Sequence, residues 1–387
     1  MSSLKKLRIR NIDVITPIYP LQMAPERGIF VETLVKQWQS LGVDVNVISP
    51  ISLPDLIRFC FKKNVYTNIE AKKIERPLYV SIGNRKIGQI DMHSLSRRIF
   101  INAALRRIKH LEVPDVYYGK FFLRGGVVAM LAGMSANRPA FADMGESNLS
   151  KQLPDNSKSW LKHVLQSLTG IVCVSYRLHD EIVKLGANPN KILVLPNEAD
   201  RSQFKPLNRN DCRQKLGLPE GAFIVAFTGH FIERKGPLRV LQAIRTAASD
   251  NVYGVFFGQG PQKPAGPQVL HAGPIHNEEL PTWLNAANVF VLPTTAEGSC
   301  NAICEAVSCG LPIISSDIPD IREQLNDENA ILVDPFDISA IAEAINIIQS
   351  DPEHQKRGIK LVKSESQSNL PTGQRAKMIY EWMVSRL

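Results

Sequence analysis

The stretch 288–316 constrains the fold more than any other part of the 387-residue chain. Residues 288–293 form a mostly β-branched and apolar run closed by a proline, as is typical of a buried parallel strand. Residues 301–309 then show helical spacing and end at Gly310-Leu311-Pro312, a helix stop that the apolar run 313–316 follows. Strand, helix and strand in this order predict a parallel sheet covered by helices.

The same alternation of strand and helix patterns runs through both halves of the chain. A helix is predicted at 28–41, and further strands are predicted at 8–16, 44–49, 115–119, 139–144, 170–175, 191–197 and 223–228. A chain of this length is too long for one typical core. We therefore expect an N-terminal domain at 1–200 and a C-terminal domain at 201–369, with the polar segment 201–221 as the linker.

Composition narrows the class of protein further. The fractions of hydrophobic residues, 44%, and charged residues, 21%, are ordinary for a soluble globular chain. No apolar run approaches the roughly 18 residues that a transmembrane helix needs. The basic residues 1–8 lead into a strand pattern rather than a secretory signal, so we expect a cytoplasmic protein. The six cysteines include no C-x2-C pair, which favours reduced thiols over zinc ligands.

The positive charge is concentrated in the first half. Residues 1–190 contain 27 Lys and Arg against 15 Asp and Glu, a net charge of +12 in a chain whose total is +9. The densest segment, 94–110, alternates basic and apolar residues at helical spacing. Such a helix is typical of an anionic membrane surface, although a solvated helix face over a core explains the pattern equally well. No binding motif for nucleic acid accompanies the charge, so a nucleic-acid partner is not expected.

Two carboxylates, Glu297 and Glu305, lie eight residues apart across the strand-to-helix junction. Glu297 should lie just past the carboxyl end of a strand, where open α/β sheets bind ligands, and Glu305 about two turns into the helix. Gly298 and Ser299 allow close approach of the backbone, and the helix start offers N–H groups suited to phosphate. The arrangement predicts a site for a phosphorylated ligand, whereas the spacing alone is more often two solvated glutamates.

A cationic turn follows the strand at 223–228. It consists of Gly229 and His230, then Arg234 and Lys235 before Gly236 and a helix. An arginine and a lysine at a helix N-terminus can neutralise a diphosphate through bidentate and point-charge contacts. An Arg-Lys-Gly turn alone is weak evidence, because surface turns often contain one.

The segment from Glu297 to Glu305, with Ala306 and Gly310-Leu311-Pro312, resembles the E-x7-E signature of family four of the retaining nucleotide-sugar glycosyltransferases. The resemblance covers nearly the whole chain. Further landmarks in the right order are Val174-Ser175, Leu195-Pro196-Asn197, Phe256 to Pro261 and Ala272 to Ile275.

The resemblance implies the GT-B fold, an α/β architecture of two Rossmann-like, doubly wound parallel-sheet domains that face a central cleft. The N-terminal domain would bind the acceptor, the C-terminal domain would bind the nucleotide sugar, and the final helix, 370–387, would pack back on the first domain. The implied activity is transfer of a hexosyl group from a nucleoside-diphosphate donor, with retention, to a glycan or polyprenyl-linked acceptor. Bacterial surface polysaccharide biosynthesis, in the cytoplasm or peripherally at the inner face of the cell membrane, is the expected setting.

The resemblance also assigns roles to residues. Arg234 and Lys235 would hold the diphosphate, Glu297 would orient the donor sugar, and Glu305 would accept hydrogen bonds from the ribose. Further donor-binding candidates are Gly28, Gly229, His230, Gly273, Ile275, Gly298, Ser299, Cys300 and Asn301. Acceptor-side candidates are Arg27, Asp143 and Glu146. No metal and no cofactor is expected beyond the nucleotide-sugar co-substrate, and the sequence contains no D-x-D triplet.

Among the departures from the family pattern, two bear on function. Met144 stands where a histidine is frequent, and Glu198 stands where glycine is usual after Asn197. These departures support a second hypothesis, a non-catalytic GT-B protein that docks on a membrane as an assembly factor. Retention of both glutamates and of the Arg-Lys pair favours the enzyme. An epimerase or a phosphorylase on the same fold would need other catalytic residues or a pyridoxal lysine, which nothing in the sequence marks.

Overall fold

The computed structural model describes residues 9–21, 24, 27–60, 74–82, 86–87, 90–145, 149, 157–351, 353 and 374–387. The chain divides into two compact units. Unit 1 consists of Met1–Leu195 with Ala376–Leu387, and unit 2 of Pro196–Arg375. The divisions lie close to the boundaries expected at 200 and 370.

Unit 1 is built on a parallel sheet with the strand order β11-β10-β9-β8-β1-β2-β4. A second small pairing, β3 with β5, is parallel, and β6 with β7 is antiparallel. The strands are β1 (Asn11–Ile15), β2 (Asp44–Ile48), β3 (Ile51–Ser52), β4 (Ile74–Glu75), β5 (Leu78–Tyr79), β6 (Lys86–Ile87), β7 (Ile90–Asp91), β8 (Val116–Lys120), β9 (Ala140–Met144), β10 (Gly170–Cys173) and β11 (Ile192–Val194).

Helices join these strands. They are α1 (Ile29–Ser40), α2 (Leu53–Cys60), α3 (Met92–Ile108), α4 (Val127–Ala136), α5 (Lys158–Ser167) and α6 (Tyr176–Lys184), with a π-helical turn, Phe121–Gly126, ahead of α4 and a 3-10 turn at Pro189–Lys191. Strand order reverses between β1 and β8, so the loops that follow these two strands border the topological switch point of the unit.

Unit 2 carries a second parallel sheet in the order β14-β13-β12-β15-β16-β17. Its strands are β12 (Phe223–Thr228), β13 (Val252–Phe257), β14 (Val269–Gly273), β15 (Val289–Leu292), β16 (Ile313–Ser316) and β17 (Ile331–Val333). Its helices are α7 (Arg209–Leu216), α8 (Pro237–Thr246), α9 (Leu280–Ala286), α10 (Asn301–Ser308), α11 (Pro319–Arg322) and α12 (Ile338–Ser350). The switch point lies between β12 and β15, the strands that precede the cationic turn and Glu297.

The last helix, α13 (Arg375–Ser385), completes the core of unit 1. The Trp38 Nε1–H donates to the Ala376 carbonyl at 2.8 Å, and the Tyr380 hydroxyl donates to the Ile9 carbonyl at 3.1 Å. Ile379 and Met383 are fully buried. The end of the chain is therefore part of the first unit's hydrophobic core.

The predicted α/β fold with parallel sheets in two domains is confirmed. The apolar runs of the sequence form the central strands, which are buried along their length. Helix starts follow the usual capping rules, for the Ser175 Oγ accepts from the Leu178 N–H and the Asp337 side chain accepts from the Ala340 N–H. None of the described helices combines the length and apolar content needed to cross a membrane.

Candidate active site

The cationic turn between β12 and α8 is held by close backbone contacts at the carboxyl edge of the unit 2 sheet. The Gly229 N–H donates to the Phe257 carbonyl at 2.9 Å. A Cβ on Gly258 would lie 1.9 Å from the Gly229 carbonyl oxygen, so only glycine allows this crossing. Gly236 then starts α8 in the left-handed region, with φ +73°. Arg234 and Lys235 thus lie immediately before a helix N-terminus, where anions are favoured.

Arg234, Lys235 and Glu297 form one ion cluster. The Lys235 Nζ lies 2.5 Å from the Glu297 Oε1, and an Arg234 Nη1 lies 3.4 Å from the same oxygen. The Thr294 hydroxyl donates to this oxygen at 2.7 Å, and the Arg234 guanidinium also donates to the Ala296 carbonyl. The structure therefore brings together the two cations expected to hold the diphosphate and the glutamate expected to orient the donor sugar. Two cations face one carboxylate, which leaves the cluster with a positive charge.

Both cations retain hydrogen-bonding capacity. An ammonium group has three N–H donors, and among the described residues Glu297 is the acceptor found for Lys235. The Arg234 contacts use Nη1, and its side chain is about a third exposed. The remaining N–H groups can bind phosphate oxygens while Glu297 keeps the lysine in position.

The loop that carries Glu297 is held in place by hydrogen bonds to the segment that follows β16. The Asp320 carboxylate, which is buried, accepts from the Glu297 N–H at 2.8 Å. The Gln324 side-chain carbonyl accepts from the Cys300 N–H at 2.7 Å, so that N–H is already bonded within the chain. Ser316 donates to the Thr294 carbonyl at 2.6 Å. The N–H groups of Glu297 and Cys300 are therefore already bonded within the chain, and the junction's other donors include those at the start of α10.

A second support comes from Asn197, a residue of unit 2 that lies three positions after the last strand of unit 1. The Asn197 N–H donates to the Ser299 Oγ at 3.0 Å, and the Asn197 side-chain amide donates to the Ser299 carbonyl at 3.1 Å. The Asn197 carbonyl accepts from the Cys304 thiol at 3.5 Å. Ser299 is thus engaged with its own unit through both oxygens.

Sequence reasoning missed Asp320, Gln324 and Thr294 as parts of this site. A signal was present, since Asp320 and Gln324 follow β16 and are four residues apart. The carboxyl ends of neighbouring parallel strands meet at one edge, so side chains that follow β16 are placed beside those that follow β15. The spacing of Asp320 and Gln324 does not show which atoms their side chains bond.

Glu305 lies in α10 and is half-buried. Burial raises the pKa of its carboxyl group from 4.5 to about 8, because no charged neighbour compensates for the lost solvent. Among the described residues, no side chain or backbone group donates a hydrogen bond to this carboxyl. A ligand with hydroxyl donors, such as a ribose, would supply the missing bonds and favour the carboxylate form.

The other donor-binding candidates in unit 2 lie along the same sheet edge. Gly273 ends β14, and its carbonyl accepts from the Gly258 N–H at 3.1 Å. Ile275 is half-buried against the core of unit 2, whereas the His230 side chain is exposed. Gly298 is buried in the loop and Asn301 is the first residue of α10. Burial raises the pKa of the Cys300 thiol to about 11, so Cys300 is not a reactive thiolate.

The remaining candidates belong to unit 1. Gly28 starts α1 with φ +74°, and a Cβ there would lie 2.9 Å from the Ile18 carbonyl oxygen. Arg27 pairs with Asp55 at 3.6 Å. Asp143 is fully buried at the end of β9, where Lys120 and the Tyr118 hydroxyl both donate to it at 2.7 Å. Glu146 lies outside the described residues.

No three His, Cys, Asp or Glu side chains are grouped to hold a metal ion in the part of the chain that the structure describes. The unit 2 edge places a fixed pair of cations beside two helix starts. Such an arrangement stabilises negative charge without reorganisation, which is the requirement for binding a diphosphate and for its departure as a leaving group.

Comparison with known proteins shows which proteins this chain is similar to. Residues 208–364 match the family described as glycosyl transferases group 1. The chain is 29% identical over 345 residues to TuaC of Bacillus subtilis, which is named as a teichuronic acid biosynthesis glycosyltransferase; the match covers 86% of this chain and 87% of that protein. It is 28% identical over 286 residues to the UDP-Gal:alpha-D-GlcNAc-diphosphoundecaprenol alpha-1,3-galactosyltransferase of Escherichia coli, covering 68% of this chain and 70% of that protein.

The fold is similar to that of a solved structure over almost the whole chain. Anabaena HepE, in complex with UDP and glucose, superposes with a TM-score of 0.71 at 14% identity, covering 98% of this chain and all of that one. The recognition made from Glu297, Glu305 and their surrounding motifs is confirmed. The chain has the GT-B fold, and residues 208–364 of its second unit match the group 1 glycosyltransferases.

Proposed function

We propose that this protein transfers a hexosyl group from a nucleoside-diphosphate sugar to a glycan or lipid-linked acceptor, with retention of configuration, in the assembly of a polysaccharide or glycolipid. The names of two relatives support the setting, one in teichuronic acid biosynthesis and one acting on a diphosphoundecaprenol-linked sugar. HepE, with the same fold, was solved with UDP and glucose. The reaction would take place in the cytoplasm or at the inner face of the membrane, without a metal or a cofactor.

The observation that carries this proposal is the Arg234–Lys235–Glu297 cluster at the switch point of the unit 2 sheet. A departing nucleoside diphosphate gains negative charge, and the donors of Arg234 and Lys235 not used by Glu297 are available to receive it. Glu297 keeps the ammonium group in place and orients the donor sugar. Glu305, which lies in α10, binds the ribose hydroxyls.

The experiment is a panel of nucleoside-diphosphate sugars tested for thermal stabilisation and for slow hydrolysis by the purified chain. We expect one donor to raise the melting temperature by mass action and to release nucleoside diphosphate without an acceptor. Chelator should leave both signals unchanged. If no donor is bound or hydrolysed, the non-catalytic assembly protein becomes the better account.

A further inference from the structure

Asn197 is bonded to the β15–α10 loop and to α10 through its main chain and its side chain. Its N–H and its side-chain amide both donate to Ser299, and its carbonyl accepts from the Cys304 thiol. Ser299 lies two residues after Glu297, and Cys304 directly precedes Glu305. A displacement of Asn197 would therefore disturb the loop beside one glutamate and the helix turn that carries the other.

Arg375 holds the residues on both sides of Asn197. Its Nε–H donates to the Pro196 carbonyl at 3.1 Å, and its backbone N–H donates to the Glu198 Oε1 at 3.1 Å. Arg375 is buried. Because the chain enters unit 2 at Pro196 and leaves it after Arg375, these two hydrogen bonds join the two ends of that unit.

The Glu198 carboxylate is well suited to its contact with Arg375. Arg375 is the first residue of α13, and the first N–H groups of a helix have no acceptor within the helix. A carboxylate oxygen satisfies one of these donors, and the partial positive charge of the helix start favours the negative charge. The hydrogen bond therefore fixes Glu198 to the first turn of α13.

Glu198 stands where glycine is usual in the family that the sequence resembles. Of the non-glycine residues that the structure describes, Phe121 and Asn137 have a positive φ, so the backbone at Glu198 does not require glycine. A glycine would have no side chain to accept from the Arg375 N–H. The departure from the family pattern therefore adds a contact beside the candidate site.

We propose that Glu198 and Arg375 are positioning residues for the donor site. They hold Asn197 from both sides, and Asn197 holds Ser299 and Cys304, which flank the segment between the two glutamates. The hydrogen bonds described for Asn197 all lead to this segment rather than to the core of the unit. The inference rests on the proposed function, because the two glutamates are the groups proposed to contact the donor.

The first test needs no donor and measures the reactivity of the Cys304 thiol, which is half-buried against the Asn197 carbonyl. Glu198→Ala should raise the rate at which iodoacetamide alkylates Cys304 about 5-fold or more, because the turn opens locally more often. Mass spectrometry locates the label. The buried Cys300 and Cys309 should react as slowly as in the wild-type chain, whereas general unfolding would expose all three thiols.

The second test measures nucleotide binding by calorimetric titration with UDP, GDP and ADP. Glu198→Ala should weaken binding of the preferred nucleotide about 10-fold, because small displacements of groups that contact a ligand have large effects. Glu198→Gln keeps an acceptor oxygen and should bind within about 3-fold of the wild-type chain. The matched control is Glu343→Ala, which removes an exposed carboxylate of α12 and should bind like the wild-type chain.

A double-variant cycle tests whether Glu198 acts through Asn197. Asn197→Ala should weaken nucleotide binding at least as much as Glu198→Ala, since it removes the amide that donates to Ser299. The double variant Asn197→Ala/Glu198→Ala should bind within about 2-fold of Asn197→Ala, whereas independent effects would add. Arg375→Lys keeps the charge but lacks the Nε donor, so it should expose Cys304 selectively, as Glu198→Ala does.

Unchanged reactivity of Cys304 or unchanged nucleotide affinity in folded Glu198→Ala would overturn the proposal. Additive losses in the double variant, or no recovery in Glu198→Gln, would do the same. Selective exposure of Cys304 in a chain that neither binds nor hydrolyses any donor would refute the enzymatic proposal alone. Donor hydrolysis by a chain whose Glu198 variants behave like the wild type would refute the positioning role alone.

Discussion

At the scale of single residues, the account depends on how Glu297 and Glu305 differ. Glu297 is buried among cations and a hydroxyl group, so its charge is compensated within the chain. Glu305 is half-buried without such neighbours, and its pKa is raised to about 8. The sequence predicted that both carboxylates belong to the site but did not predict this contrast. The cationic partners of Glu297 come from the distant β12–α8 turn, and the spacing of the two glutamates does not show which of them has such partners.

Replacement of Lys235 by Ala tests the charge-stabilising role. We expect kcat for transfer or donor hydrolysis to fall about 10²-fold or more, as is usual when a preorganised donor to a developing charge is removed. Steady-state kinetics measure the effect. Lys263→Ala, in a loop of the same unit, is the control and should retain wild-type turnover. Normal kcat in the Lys235 variant would show that the lysine does not receive the leaving charge.

Replacement of Glu305 by Gln tests the ribose role through pH. In the wild-type chain, nucleoside-diphosphate affinity should rise with pH up to about 8, since binding requires the carboxylate and the free group holds a proton below that value. The Gln variant should bind more weakly and lose this part of the pH dependence. Calorimetric titration at several pH values measures both. Parallel pH profiles for the two proteins would contradict the role.

The raised pKa of Glu305 also predicts a dependence of stability on pH. A group whose pKa is higher in the folded state stabilises the fold fully below its usual pKa, and this contribution is lost as pH rises. The free energy of unfolding of the wild-type chain should therefore fall relative to Glu305→Gln between about 4.5 and about 8. Denaturant unfolding over that range tests this. If the free energy of unfolding of the wild-type chain instead rises relative to Glu305→Gln over this pH range, Glu305 is ionised in the folded chain.

At the scale of elements, the site is assembled by loops that follow neighbouring parallel strands. The strand–helix–strand pattern at 288–316 was predicted from the sequence and is observed as β15, α10 and β16. Pro293 directly after β15 and Gly310-Leu311-Pro312 after α10 allowed these bounds to be predicted. The contribution of the segment after β16 was not predicted, because hydrogen bonds between loops depend on strand order, which the sequence does not state.

Asp320 offers a test of that contribution. Asp320→Ala removes the acceptor of the Glu297 N–H, and a buried donor left unsatisfied costs about 1–3 kcal/mol of stability. We expect a loss of kcat of at least about 10-fold, since Glu297 and Lys235 shift together. Asp320→Asn keeps an acceptor oxygen and should restore most of the activity.

Asp317→Ala is the matched control for Asp320. Asp317 is an exposed carboxylate of the same segment, and its partner is Arg322. Its loss should leave kcat within about 2-fold, as is common for surface ion pairs. Equal effects at both positions, or failure of Asn to rescue, would remove Asp320 from the group of residues that position Glu297.

At the scale of the whole molecule, periodicity and length predicted two parallel-sheet units, and family motifs predicted the GT-B fold. Trp38 lies in the helix predicted at 28–41, and it is buried. Its hydrogen bond to Ala376 could not be foreseen, because it joins positions 338 residues apart. Composition alone likewise left open whether the basic segment at 94–110 faces solvent or a partner. The structure shows, for each residue of this segment, whether its side chain is buried or exposed.

The last helix makes the first unit depend on the end of the chain. Ile379 is fully buried, so Ile379→Ala should destabilise unit 1 by about 2–5 kcal/mol and lower its melting temperature. Lys377→Ala, on the exposed side of the same helix, should change stability by no more than about 0.5 kcal/mol. Thermal unfolding compares them. Equal stability of the two variants would mean that α13 does not contribute to the core.

The most direct measurement is a structure of the chain crystallised with the nucleoside diphosphate that stabilises it. The account predicts that phosphate oxygens lie at hydrogen-bonding distance, about 3 Å, from the Lys235 Nζ and the Arg234 guanidinium, with the ribose hydroxyls on Glu305. A nucleotide bound away from these three side chains, with the Lys235–Glu297 pair unchanged, would contradict it.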